Sequence, residues 1–286
     1  MDELKRSRGS AIHIVSAGHV VFAAVMIFLG IQGWIKGDFT TVWQPVPKGL
    51  PVREGFVYLS ASISLACGIG LLWIRTAALA ARVLLAALVL WPLLWRGRAF
   101  FLATLVDGTW NLGSAMAMIG AAWVLYVTLA TGWDRQHFGF AAGDKGVRIA
   151  RVLYGVALIP FGCAHFAYLK HTADMVPDWL PWHFGWAYFT GITFIAASLA
   201  ILTDRFARLA AALSTLQMGL FGLLVWVPLM VAGPLNAFQW GEVVTTVALT
   251  AAGWVMTDSY RAVSLPRLPA AKSASAADYA EQRPRS

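Results

Sequence analysis

Long apolar runs, separated by short polar loops, follow one another along most of the chain. An α-helix needs roughly 20 mostly apolar residues to cross a bilayer, and the runs are about that long. The pattern predicts eight transmembrane helices, at residues 11–34, 55–74, 77–95, 109–132, 149–168, 184–202, 207–231 and 241–256. The predicted fold class is therefore all-α, a polytopic membrane protein whose helices form two tandem four-helix bundles.

Composition and charge agree with a membrane protein. Of the 286 residues, 59% are hydrophobic and 13% are charged, which is more apolar than a soluble domain. The outer side holds Lys36, Lys48, Arg53, Arg96, Arg98 and Lys170. The other 16 of the 22 basic residues lie on the side of the termini, so both termini are predicted to be cytoplasmic. Charges scattered over short loops argue against nucleic-acid binding.

A loop motif with two prolines occurs twice. Val46, Pro47, Leu50, Pro51 and Tyr58 recur 130 residues later as Val176, Pro177, Leu180, Pro181 and Tyr188. Because each repeat holds four predicted helices, the two repeats should have the same orientation, related by a pseudo-twofold axis along the membrane normal. Proline cannot continue a regular helix, so the four prolines are predicted to be structural loop residues.

The repeat divides the chain into four parts. Residues 1–132 are the first four-helix repeat with a short basic N-terminus, and 133–148 are a cytoplasmic linker. Residues 149–258 are the second repeat. The tail, 259–286, is rich in Ala, Ser, Pro and charge and is predicted to be disordered in the cytoplasm.

The stretch 162–191 is dense in His, Trp and Pro. One interpretation is an interfacial aromatic belt whose prolines shape the return into the membrane. The other is a loop that caps an outward-opening pocket for a substrate or a quinone. The candidate pocket residues are His165, Asp174, Trp179, His183, Trp240 and Glu242.

The chemistry of these candidates allows both interpretations. Imidazoles at a membrane interface can bind a quinone or transfer protons, and can also make ordinary hydrogen bonds. Glu242 is either a functional intramembrane carboxylate or an acid favoured by the dipole of a helix first turn. The histidine spacing matches no compact metal motif, so no metal site is predicted. No haem, flavin or nucleotide motif is visible, and no catalytic residue is identified.

A family resemblance rests on these same residues. The runs GCAHF, MVPDWLPWHFGWAYFTG and QWGEVVTTVALTAAGWVMTDS resemble the DoxX family of small four-helix bacterial membrane proteins and its DoxX-like relatives. The resemblance covers nearly all of 150–260 and, through VPKGLPVREGFVYLS and TWNLGSAMAMIGAAW, extends more weakly over 12–130. It implies two DoxX-like units fused in tandem in the bacterial cytoplasmic (inner) membrane.

The resemblance also implies a function. Some family members are associated with membrane redox chemistry, so the chain is expected to be a subunit or accessory of a quinone-linked system, with a quinone or a redox protein as partner. If it is an enzyme, it is a membrane oxidoreductase component. Relatives commonly carry a Glu three residues after the glycine matching Gly191, but this chain has Phe194 there and Ser64 in the first repeat.

Two alternatives stay open at this stage. One is a small-solute transporter that uses the interface between the two repeats. The other is a membrane assembly protein without chemistry of its own. Gly33 occupies the position that matches His165, so any histidine site belongs to the second repeat alone.

Overall fold

The computed structural model describes residues 14–44, 46–47, 49–102 and 104–261, and the side chains of these residues except 96–102. The basic N-terminus up to residue 13 and the predicted tail from residue 262 onward lie outside the described residues. The described part of the chain is helical and contains no β-strand.

Eight long helical segments in the described chain correspond to the eight predicted spans, and short helices join them. The helices are α1 (Ala17–Lys36), α2 (Arg53–Leu72), α3 (Ala77–Leu102), α4 (Leu105–Leu129), α5 (Gly132–His137), α6 (Gly139–Ala142), α7 (Asp144–Ala167), α8 (Leu169–Asp174), α9 (His183–Leu202), α10 (Ala207–Phe221), α11 (Val227–Ala232) and α12 (Ala237–Asp258). A 3-10 turn covers Thr41–Trp43, and a π-helical turn, Gly222–Trp226, joins α10 to α11.

Seven segments of the described chain are long and apolar enough to cross a membrane. They are Ala17–Lys36, Arg53–Leu72, Ala77–Trp95, Leu105–Leu129, Asp144–Ala167, His183–Leu202 and Ala207–Ala232. α12 is long enough but is not among them, because Gln239, Glu242 and several threonines lower its hydropathy. The seven helices identify a multi-pass membrane protein.

Polar side chains set the starts of two long helices. The Ser16 hydroxyl accepts a hydrogen bond from the His19 backbone N–H at the start of α1 (3.1 Å). At the start of α12, Asn236 and Gln239 form a reciprocal capping box. These bonds satisfy backbone donors that a first helical turn leaves unpaired.

The long helices pack in chain order, and the last one closes the bundle against the first. α1, α2, α3 and α4 contact one another in succession, as do α7, α9, α10 and α12. In addition, α4 packs extensively against α7, and α12 packs against both α1 and α4. One cluster of buried hydrophobic residues includes members from all eight long segments, so the two groups of helices share a single core.

Two pairs of helices approach closely at glycines. A Cβ atom on Gly30 in α1 would lie 2.5 Å from the backbone nitrogen of Leu65 in α2. A Cβ atom on Gly162 in α7 would lie 2.7 Å from the carbonyl oxygen of Gly191 in α9. Small residues allow such backbone contact between membrane helices, so a larger side chain at either glycine would separate its helix pair.

A buried carboxylate joins the short helix α5 to α3. Asp134 is fully buried and accepts hydrogen bonds from Arg82 Nε (2.8 Å) and from the backbone N–H (2.9 Å) and hydroxyl (2.6 Å) of Thr131. The Arg82 guanidinium also lies 4.6 Å from the centre of the Trp133 ring. Arg82, the charged residue within the third predicted span, is therefore paired with Asp134.

The ionised form of Asp134 stabilises the fold. Burial disfavours the charge, but the hydrogen bonds from Arg82 and Thr131 and the Arg82 charge outweigh burial and lower the pKa of the carboxyl from 3.8 to about 2. Because the pKa is lower in the folded state, this stabilisation is complete at pH values above 3.8 and is lost as the pH falls toward about 2.

We expect Asp134→Ala to lower the free energy of unfolding by about 3 kcal/mol, because it leaves Arg82 without its buried partner. Thermal unfolding of the detergent-solubilised protein at neutral pH measures the loss. The exposed ion pair between Lys170 and Asp174 is the control, since Asp174→Ala should cost less than about 1 kcal/mol. Equal losses in the two variants would contradict the prediction.

Candidate functional site

His165 lies in the last turn of α7, where its imidazole is half-buried. Its Nδ1 atom is 2.7 Å from the carbonyl oxygen of Phe161. A carbonyl oxygen only accepts hydrogen bonds, so Nδ1 carries the hydrogen. The Nε2 atom has no hydrogen-bond partner among the described residues, so in the neutral ring it is a free acceptor.

The surroundings of His165 depend on a glycine in the neighbouring helix. A Cβ atom on Gly191 would lie 3.0 Å from the Cβ of His165 and 2.7 Å from the ring of Phe166. The His165 ring also lies 5.4 Å from the ring of Phe194, one turn further along α9. The imidazole is therefore held between α7 and α9 with an aromatic ring beside it.

The segment between α7 and α9 contains α8 and a turn. The Tyr168 hydroxyl donates a hydrogen bond to Asp107 near the start of α4 (2.7 Å), which fixes the end of α7. The Leu180 N–H donates to the Pro177 carbonyl oxygen (2.9 Å), so the segment that begins at Pro177 is a turn. Pro181 follows directly and ends this turn.

The other candidates after α7 differ in their surroundings. Trp179 is 69% exposed, so its ring does not close over a pocket formed by this chain. The Asp174 carboxylate is paired with Lys170 on the same helix (2.7 Å). His183 is the first residue of α9 and is half-buried. No described hydrogen bond, ion pair or ring contact therefore joins these three side chains to His165.

Trp240 and Glu242 lie in the first two turns of α12. The Lys36 ammonium group at the end of α1 lies 5.6 Å from the centre of the Trp240 ring, a distance suited to a cation–π contact. Glu242 is half-buried, and no hydrogen bond or ion pair joins its carboxylate to any described residue. In α12, Glu242 is thus the acidic side chain without a partner.

An aromatic cluster among the first helices was not singled out by the sequence analysis. Trp43 is fully buried, its Nε1 donates to the Ser64 hydroxyl (2.8 Å), and the Trp91 Nε1 donates to the Trp43 carbonyl (2.7 Å). Pro47 and Pro51 lie in the loop that follows. A buried indole N–H usually needs a hydrogen-bond acceptor. In the sequence, the available sign of this cluster was a serine in the second predicted span.

A small cleft lies where the 3-10 turn meets α4 and α12. Its lining residues are Thr41, Val42, Ser114, Met118, Thr245, Ala248 and Leu249, and its volume is about 20 Å³. That volume accommodates one water molecule. The Thr41 hydroxyl is buried without a hydrogen-bond partner in the described structure, whereas Ser114 and Thr245 donate to carbonyls of their own helices.

The six predicted pocket residues lie at one end of the helices but do not form a shared network. Among the described residues, no hydrogen bond, ion pair or ring contact joins any two of the six. No group of three or more His, Cys, Asp or Glu side chains in the described chain is arranged to hold a metal ion. Among the described residues, the His165 Nε2 atom and the Glu242 carboxylate are polar groups without a hydrogen-bond or ion-pair partner, and the His183 imidazole is another.

Comparison with protein-family models, curated proteins and solved structures gave no match to this chain. The functional argument therefore rests on the chain's own residues. Of these, His165 has the most completely defined surroundings, because its tautomer, its neighbouring ring and its helix contact are all fixed.

The two cysteines give a direct test of the packing around α7. Cys163 is exposed on α7, whereas Cys67 is buried in α2. We expect N-ethylmaleimide to modify Cys163 in the folded, detergent-solubilised protein, and to modify Cys67 only after unfolding. Peptide mass spectrometry measures both. Modification of Cys67 at the same rate as Cys163 would contradict the burial of α2 against its neighbours.

Proposed function

We propose that the protein has eight spans and that α12 is the eighth. α12 runs antiparallel to α1 along its whole length. The Gly18 N–H donates to Asp258 at one end (2.9 Å), and Lys36 lies over Trp240 at the other. Because α1 is long and apolar enough to cross a membrane, a helix that follows it from end to end crosses the same layer.

In this proposal the chain consists of two related four-helix units, α1–α4 and α7–α12. The packing supports the relation, since α12 contacts α1 as α4 contacts α7. Gly30 packs against Leu65 in the first unit, and Gly162 packs against Ile195 in the second. These pairs occupy matching positions in the repeat, with offsets of 132 and 130 residues.

A second matched contact explains why only one unit carries the histidine. Gly33 on α1 packs against Ala61 on α2, and His165 on α7 packs against Gly191 on α9. Each pair contains one glycine. In the first unit it lies on α1, and in the second unit it lies on α9. Because Gly191 has no side chain, α7 has space for an imidazole at the position where α1 has Gly33.

The resemblance to DoxX-like proteins supports placing this tandem protein in the bacterial cytoplasmic membrane with both termini in the cytoplasm. Enzymatic tags fused to either end test the topology. Both termini should give the activity of a cytoplasmic reporter, and neither should give that of a periplasmic one. Opposite results at the two ends would mean an odd number of spans and would overturn the proposal that α12 is a span.

The function that the geometry supports best is binding of a quinol for a membrane redox partner. The observation that supports this proposal most directly is the tautomer of His165. With Nδ1 donating to Phe161, the neutral ring presents Nε2 as an acceptor, and a quinol hydroxyl is a suitable donor to it. The Phe194 ring beside the imidazole is itself buried, so it packs against His165 and leaves Nε2 as the contact to the quinol.

This arrangement defines the part that the chain plays. Nε2 can accept the hydroxyl hydrogen and so orient a quinol at the outer end of α7. The redox centre that takes the electrons then belongs to the partner, which makes this chain an accessory that holds the quinol. The Glu242 carboxylate also has no hydrogen-bond or ion-pair partner among the described residues, and it is available to receive a proton.

We expect His165→Ala to weaken binding of a short-chain ubiquinol about tenfold, because it removes one hydrogen bond to the quinol. Calorimetric titration of the purified protein under nitrogen measures the affinity. The control is His171→Ala, since His171 is exposed on α8 and should leave binding unchanged. Equal affinities of the wild type and His165→Ala would overturn the proposal.

A transporter is the second candidate, favoured by the cleft at the contact between α4 and α12. That contact lies between the two proposed units, and hydroxyls line the cleft. Since the cleft holds about one water molecule, solute passage would require the two units to separate. Substrate-dependent flux into proteoliposomes would favour this candidate over the quinol-binding accessory.

A further inference from the structure

The linker between α4 and α7 is a fixed structural element. At its first helix, α5, Asp134 is held by Arg82 and Thr131. At its second helix, α6, the Trp123 Nε1 donates a hydrogen bond to the Ala141 carbonyl (2.9 Å). Attachment at both short helices means that the orientation of the linker relative to the spans is set by the fold.

The linker exposes three large aromatic side chains. Trp133, Phe138 and Phe140 are 49%, 42% and 63% exposed. Aromatic rings of this size gain burial free energy when their exposed area is removed from water. The linker begins where the span α4 ends and finishes where the span α7 begins, so these rings lie at the boundary of the bilayer.

Basic side chains accompany the aromatic ones. Arg135, Lys145 and Arg148 are exposed on the linker and the first turns of α7. Of the two acids nearby, Asp134 is buried against Arg82, which leaves Asp144 as the exposed one. At the same end Arg75, Arg205 and Arg208 are exposed, Arg208 in the first turn of α10, and Asp204 is the exposed acid beside them. The exposed charge at this end is therefore positive.

We propose that the linker surface, made of Trp133, Arg135, Phe138, Phe140, Lys145 and Arg148, binds the anionic phospholipid headgroups of the bilayer that holds the helices. Aromatic rings partition into the headgroup region, and lysine and arginine pair with lipid phosphates. A protein partner would also cover the rings. Lipid is the occupant that we propose, because the two flanking spans place the linker next to the headgroups.

The strength of this binding follows from the number of cations. Each Lys or Arg near an anionic membrane surface contributes about 1 kcal/mol, which corresponds to about a fivefold preference per charge for anionic over zwitterionic lipid. The pairing is screened by salt, since exposed charges interact over about 10 Å at 0.1 M ionic strength. The preference should therefore weaken as salt is added.

Quenching of Trp133 by brominated lipid tests the proposal in the full-length protein. The fluorescence difference between wild type and Trp133→Phe isolates this one indole. In vesicles that contain either brominated phosphatidylglycerol or brominated phosphatidylcholine, we expect the anionic lipid to quench Trp133 at a mole fraction at least about fivefold lower. The triple variant Arg135→Gln, Lys145→Gln, Arg148→Gln should remove that difference.

A matched control removes basic charge at the opposite end of the spans. Lys36→Gln with Lys170→Gln should keep the preference for phosphatidylglycerol, and an unchanged melting temperature shows that each variant is folded. Equal quenching by the two lipids in the wild type would overturn the proposal. Absence of Trp133 quenching by either lipid would also overturn it, because it would place the ring in water or against a protein.

Discussion

The direct backbone contact between α7 and α9 is the interaction on which the candidate site depends. Between membrane helices, lipid tails remove most of the hydrophobic gain from association, so close van der Waals contact has to supply the attraction. Gly162 and Gly191 permit that contact. With the helices at this distance, the position of His165 and the ring of Phe194 beside it are determined. A change in either glycine would therefore alter the site without touching the imidazole.

Most polar groups inside the described helices have a hydrogen-bond or ion-pair partner. Arg82 has Asp134, the Trp43 indole has Ser64, and the threonines of α12 donate to carbonyls of their own helix. Because an unpaired polar group is costly in a bilayer, the exceptions are informative. The His165 Nε2 atom and the Glu242 carboxylate are two such groups, and both lie at the end of the bundle that carries the proline loop.

The helices were predictable from the sequence because their length and apolar character are local properties. The predicted spans coincide with observed helices to within several residues, as at 184–202 and His183–Leu202. The order of packing could not be predicted, because nothing local states that α12 lies against α1. The surroundings of the candidate site residues could not be predicted from residue type. His165 was named from its residue type, but its tautomer depends on the Phe161 carbonyl, and Asp174 turned out to be paired with Lys170.

The cross-packing of α4 on α7 and of α12 on α1 has a consequence for how the chain is assembled. Neither α1–α4 nor α7–α12 encloses its own core, because the fourth long helix of each group lies against the first helix of the other. Expressed alone, each group would resemble one half of an obligate dimer, with an uncovered groove. Covalent connection through the linker turns that association into an intramolecular step, which no longer depends on the concentration of two separate polypeptides in the membrane.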